Sequence, residues 1–376
     1  MTTIVFVALI AFFTVSCIIS AFNPKAYSSI EKRPMAQFPT DFTMEELLSN
    51  KPTVNPLTGA VTESPIARFE DFTVDQFPFR QFFRYIKAHF TMDILGLKEN
   101  NGYITENGYI GQITTSFDEK SLDYSIGRLK MIYETFLKDN GGNKYVCIIP
   151  DKGYHFAKEY GYPSGDYGAL LEKVKASLPD MKYIDVFNTL TLSDYYKTDW
   201  HWNQVKILDT LEVLGKEIGF NDRLSYKYDE VVMGDYRGGY YDASALYPAP
   251  EKLSYLTNDV LAGCTVLEGG KSYGLYNPEL FESYVQYDFF LSEGNGGWRS
   301  IQKIDNPNAT TDEEIIIFRD SFGSAIIPLI AEAYRTVYVV DIRSVPPVLL
   351  GANLDFADKD VLFLFSTTVL NTRDFK

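Results

Sequence analysis

Glu314-Ile-Ile-Ile-Phe-Arg-Asp-Ser321-Phe-Gly-Ser-Ala325, continued by Ile326-Ile-Pro-Leu-Ile-Ala-Glu-Ala-Tyr334 and Arg335-Thr-Val-Tyr-Val-Val340, decides the fold class. An uninterrupted apolar run, Glu314 to Phe318, predicts a strand buried on both faces. Ala325 to Tyr334 predicts a helix, and Thr336 to Val340 a second buried strand. Working outward, Lys144–Ile149, Tyr183–Phe187 and Val361–Phe365 read as further strands, with helices expected over Gly168–Ser177 and Asn203–Ile218. Buried strands alternating with helices predict an α/β fold, a mainly parallel sheet with flanking helices.

From Ile4 to Phe22 no charged residue occurs. That run is long enough to cross a bilayer, and it also suits a secretory signal with small residues Ser20 and Ala21 near a cleavage point. Residues 1–23 are therefore expected to be a membrane anchor or signal segment, and residues 24–66, rich in Pro, Ser and Thr, a linker with a short helix at Met44–Leu48. Residues 67–376 are expected to form one catalytic domain, with a β-rich insertion at about 224–308 where Gly, Tyr, Asp and Pro dominate. Phe69, Phe72, Phe77, Phe82, Tyr85, Ile86 and Phe90 form an aromatic stripe along a helix at 67–91, expected to serve core packing. Asn107-Gly108 predicts a hairpin turn.

The net charge is −15, so a general nucleic-acid binder is excluded, because phosphate contacts need clustered Lys and Arg. The three cysteines, Cys17, Cys147 and Cys264, form no zinc spacing, and no phosphate-binding glycine loop occurs, so no metal or cofactor is expected.

Three histidines are present. His89 lies in the aromatic helix and reads as structural. His155 follows Pro150-Asp-Lys-Gly-Tyr at a strand's carboxyl end, where parallel sheets place their sites. His201 sits in Asp199-Trp-His201-Trp-Asn203. An Asp two residues before a His in extended chain lies on the same side, where a carboxylate fixes the imidazole tautomer and stabilises its charged form. A surface turn capping the following helix would use the same residues. Asp320-Ser321 ends a buried strand and opens a helix, the setting of a strand-to-helix nucleophile, although a serine helix cap has the same pattern. Together they suggest Ser321 as nucleophile, His201 as base and Asp199 as its orienting acid. The amides opening the helix are expected to hold an oxyanion. Trp200, Trp202, Asn203 and Arg319 are expected to bind substrate.

Asp199-Trp-His201-Trp202, preceded by Tyr195-Tyr-Lys-Thr198, resembles the signature of the bacterial DHHW protein family, and Asp320-Ser321-Phe322-Gly323 is similar to its serine segment. Ser29-Ile-Glu31-Lys-Arg33 followed by Phe38-Pro39, and Asp75-Gln-Phe-Pro78-Phe-Arg80, resemble its N-terminal pattern. Trp200 stands where the family has its first His, and Arg319 where the SGNH block has Gly. The resemblance extends to alginate O-acetyltransferases of the SGNH-hydrolase-like superfamily. It implies a circularly permuted SGNH-like fold, with the triad in the order Asp, His, Ser. It further implies an extracytoplasmic O-acyltransferase acting on a polysaccharide or cell-wall glycan at the cell envelope, with a membrane-bound O-acyltransferase supplying the acyl group. An esterase on the same triad, or an inactive glycan-binding protein, would carry the same residues.

Overall fold

The computed structural model describes residues 2–28, 30–31, 33–54, 61–283, 285–292 and 301–376. The chain divides into two compact units, one of Met1–Asn100 with Asp242–Tyr247, the other of Asn101–Tyr241 with Pro248–Lys376.

In the first unit, helix α1 spans Thr2–Phe22. Among the described residues it alone is long and apolar enough to cross a membrane. Helix α2, Met44–Ser49, forms where the short helix was expected, because Thr43 and Glu46 satisfy each other's backbone N–H groups. Helix α3 (Pro65–Asp75) starts on the Ser64 cap and is followed by α4 (Arg80–His89). The expected continuous stripe is broken between them, where Phe79 takes a left-handed φ of 59°. Of the stripe only Phe72 is buried; Phe69, Phe77, Phe82, Tyr85, Ile86 and Phe90 remain 41–59% exposed, so it is not core. The segment expected to be a linker is tied down at Arg33, whose guanidinium donates to both Asp75 oxygens at 2.8 and 2.6 Å.

The second unit opens with a hairpin, β1 (Tyr103–Glu106) and β2 (Tyr109–Gln112), turned by Asn107 and Gly108 at φ of 50° and 81°. Next come α5 (Glu119–Ile132), β3 (Lys144–Ile149), α6 (Lys152–Tyr160), α7 (Tyr167–Ser177), β4 (Lys182–Ile184) and α8 (Leu208–Ile218). Strands β5 (Asp229–Tyr236) and β6 (Glu251–Thr257) pair as an antiparallel ribbon. They are followed by β7 (Thr265–Glu268), β8 (Lys271–Tyr273), β9 (Gln302–Asp305), β10 (Glu314–Arg319), α9 (Gly323–Ile330), β11 (Thr336–Val340) and β12 (Asp360–Ser366).

One sheet has the order β8-β7-β9-β11-β10-β12-β3-β4. From β11 to β4 all pairs are parallel, while β9, β7 and β8 extend it antiparallel. The expected α/β architecture is borne out. Within the β-rich stretch, β7 to β9 extend the sheet's edge. The apolar runs are continuous because both faces are covered. Ile315, Ile317, Leu362 and Leu364 face a core shared with Leu211 and Leu214 of α8 and Ile326 and Ile330 of α9. Ile316, Phe318, Val361 and Phe363 face the other, with Leu122 and Leu129 of α5 and Leu170 and Val174 of α7. The parallel strands send the chains after β3, β10 and β12 to one edge, where the candidate site lies.

Candidate active site

Asp199 and His201 lie on the irregular stretch between β4 and α8. This stretch is not the helix expected from Asn203 onward, because Asn203 caps a single short turn, Gln204–Lys206, before α8 begins at Leu208. It is nevertheless tightly held. Tyr196 N–H donates to the His201 carbonyl at 3.0 Å, and the amides of Lys197 and Thr198 donate to the Glu251 carboxylate at 2.8 and 2.9 Å. Two bonds bridge to the serine segment: Trp202 Nε1–H to the Phe322 carbonyl at 2.9 Å and Gln204 Nε2–H to the Ala325 carbonyl at 2.6 Å.

Ser321 stands directly beyond β10. The Asp320 carboxylate ties its turn together, accepting Phe322 N–H at 2.9 Å on one oxygen and, on the other, Ser366 N–H at 2.8 Å and Ser366 Oγ–H at 2.6 Å. Gly323 allows α9 to start close against the strand, since a Cβ there would sit 2.7 Å from Arg319 Cβ.

Across this junction three side chains form one line. Asp199 Oδ1 lies 2.7 Å from His201 Nδ1, and His201 Nε2 lies 2.8 Å from Ser321 Oγ. Asp199 is fixed further, with His201 N–H on Oδ1 at 3.0 Å and Gly239 N–H on Oδ2 at 2.7 Å. Burial alone would raise the Asp199 carboxyl. The electrostatic pull of the His201 ring and the hydrogen bonds from His201 and Gly239 outweigh it and hold the group well below the usual carboxylate range. Trp200 Nε1–H, which can only donate, points at His201 Nε2 from 2.9 Å. Nε2 is therefore the bare nitrogen and Nδ1 carries the proton toward Asp199. Tyr287 stacks flat on the imidazole, with centroids 3.8 Å apart and planes 3° apart. Such an arrangement can accept a proton from Ser321 and steady the resulting imidazolium.

Other expected positions fall differently. Trp202 and Arg319 are fully buried. Arg319 donates to Ser324 Oγ at 3.0 Å, and the Asn203 side chain accepts Val205 N–H at 3.2 Å. These three, expected at the substrate, instead brace the loops, and Trp200 is left as the partly open residue of the group. The amides opening α9 do not form the expected oxyanion cradle. Phe322 N–H is engaged by Asp320, Gly323 N–H by the Asp320 carbonyl at 3.1 Å and Ser324 N–H by the Ser321 carbonyl at 3.2 Å. His155 lies buried in α6 against Tyr154 and Tyr195, its pKa pushed down to about 4 by burial, away from this line of bonds. His89 meets Asp93 at 2.6 Å in the other unit.

Lys152 went unnoticed in the sequence although it shares the Pro150–His155 stretch. It is buried at the first position of α6, and its ammonium donates to the carbonyls of Tyr196, Lys197 and Asp199 at 2.9, 3.1 and 3.0 Å, and to that of Ile110. Burial pushes its pKa down to about 7 against the pull of Asp199 and Glu251.

The model of the DHHW protein family matches residues 189–340, which include all three aligned side chains. A solved DHHW family protein from Eubacterium siraeum is similar at a TM-score of 0.55 and 19% identity, over 72% of this chain and 93% of its own. PatB1 of Bacillus cereus, solved with a sulfonyl adduct, is similar at 0.54 and 19%, over 73% of this chain and 97% of its own. The O-acetyltransferase domain of Pseudomonas putida AlgJ follows at 0.43 and 13%, over 72% and 92%. No curated protein matches the chain. The resemblance carried by Asp199–Trp202 and Asp320–Gly323 is thereby borne out: the DHHW protein family's model matches this part of the chain, and the fold around it is similar to that of a solved DHHW family protein.

Proposed function

We propose that this protein is an O-acyltransferase that acetylates a polysaccharide outside the cytoplasm through an acyl-enzyme on Ser321. The observation that carries the reading is the unbroken line of bonds from Asp199 through His201 to Ser321. In the first step Ser321 Oγ attacks the acyl carbonyl while His201 Nε2 takes its proton. Asp199 stabilises the imidazolium, which then protonates the leaving group. In the second step a sugar hydroxyl loses its proton to Nε2, its oxygen bonds to the acyl carbon, and the Ser321–acyl bond breaks with the proton returned to Oγ. A membrane-bound O-acyltransferase is the proposed acyl donor, and α1 the element that brings the chain to the membrane. Water in place of the sugar would make the same site an esterase.

Incubation with p-nitrophenyl acetate tests the reading. One acetyl group is expected on the chain, located by mass spectrometry at Ser321. An adduct that persists at another residue in Ser321→Ala would overturn it.

A further inference from the structure

Trp200 offers the site a means to favour a sugar over water. Nε2 of His201 has a single in-plane lone pair, yet two donors lie within hydrogen-bond distance of it: Ser321 Oγ at 2.8 Å and Trp200 Nε1 at 2.9 Å. Once Ser321 is an ester it no longer donates, and the indole N–H remains. The indole is held there by more than chance. It rests edge-on against Tyr240, with centroids 5.5 Å apart, and over Gly239, whose missing side chain leaves it room. Yet Trp200 is 38% exposed, so it can swing outward without opening the core.

Resting on the acyl-enzyme reading, we propose that Trp200 guards the base against water. In the acyl-enzyme its N–H occupies the Nε2 lone pair, so a water molecule cannot pass its proton to His201 without displacing the indole. A sugar can, because its apolar ring face packs against the indole it moves aside while its hydroxyl takes the vacated place on Nε2. Trp200 is thus a specificity-determining residue, selecting a carbohydrate hydroxyl over water.

The test uses the full chain in detergent, acetylated at Ser321 with p-nitrophenyl acetate and left in sugar-free buffer while mass spectrometry follows loss of the acetyl group. Trp200→Phe keeps an aromatic ring without the donor. Its acetyl half-life should shorten about tenfold, the factor for one hydrogen bond. Gly239→Ala, whose added methyl would press on the indole, should shorten it as well, and serves alone if Trp200→Phe does not fold. A merely structural role for Trp200 would slow the loss, not hasten it. Half-lives equal to or longer than that of the unaltered chain overturn the guard while leaving the acyl-enzyme intact. Failure of the unaltered chain to take an acetyl group at all overturns both.

Discussion

The Nζ of Lys152 lies 3.0 Å from the carbonyl oxygen of Asp199, so a buried ammonium holds the backbone of the residue that orients His201. The ammonium faces Asp199 and Glu251, and the rings of Tyr109 and Tyr240 lie 5.7 and 5.4 Å from it. With a folded pKa of about 7 against an ordinary 10.5, the native chain releases a proton that the unfolded chain keeps. Stability from this group therefore rises with pH above 7 and falls as pH drops through it, by at most about 1.4 kcal/mol per pH unit. Denaturant titrations from pH 6 to 9 should show the unaltered chain gaining stability relative to Lys152→Met. Parallel curves would remove Lys152 as the titrating group.

Replacing Asp199 by Asn should lower turnover of an activated ester on the order of 10⁴-fold, because the amide no longer holds His201 in the tautomer with Nε2 bare. The Gly239 amide keeps an acceptor in the Asn side-chain oxygen, so circular dichroism should be unchanged. Turnover within tenfold of the unaltered chain would speak against the role given to Asp199.

Asp320 should matter for folding as well as for the site. Asp320→Ala leaves three buried donors, Phe322 N–H, Ser366 N–H and Ser366 Oγ–H, without their acceptor. At roughly 1–3 kcal/mol for each, the loss is at least about 3 kcal/mol. Tm should fall by at least roughly 4 °C, read by calorimetry, together with loss of the Ser321 adduct. A variant as stable as the parent would contradict the knot.

Deleting residues 2–22, the span of α1, should release the protein from the membrane fraction, and protease added to intact cells should cleave the full chain. A full chain that stays soluble and protease-protected inside the cell would remove the envelope role.

The sequence by itself determined the sheet. Continuous apolar runs such as Lys144–Ile149 and Thr336–Val340 have no polar face to offer water, so only a parallel sheet covered on both sides accommodates them, and their limits were legible to the residue. It also determined Asp199, His201 and Ser321 as candidates, because an Asp-x-His pair and a strand-to-helix serine are local patterns. Only the tertiary structure decided the rest. The aromatic stripe is not core because spacing reveals neither the left-handed turn at Phe79 that breaks the helix nor that most of its rings stay exposed. Trp202 and Arg319 look like substrate contacts in a linear motif, but the fold around them buries both. The distance from His201 to Ser321 spans 120 positions of chain. It is fixed by bonds no sequence pattern encodes: Trp202 to Phe322, Gln204 to Ala325, and Lys152 reaching from the start of α6 into the Asp199 loop. Local geometry is written in neighbouring residues, whereas these couplings exist only where parallel strands bring remote loops to one edge.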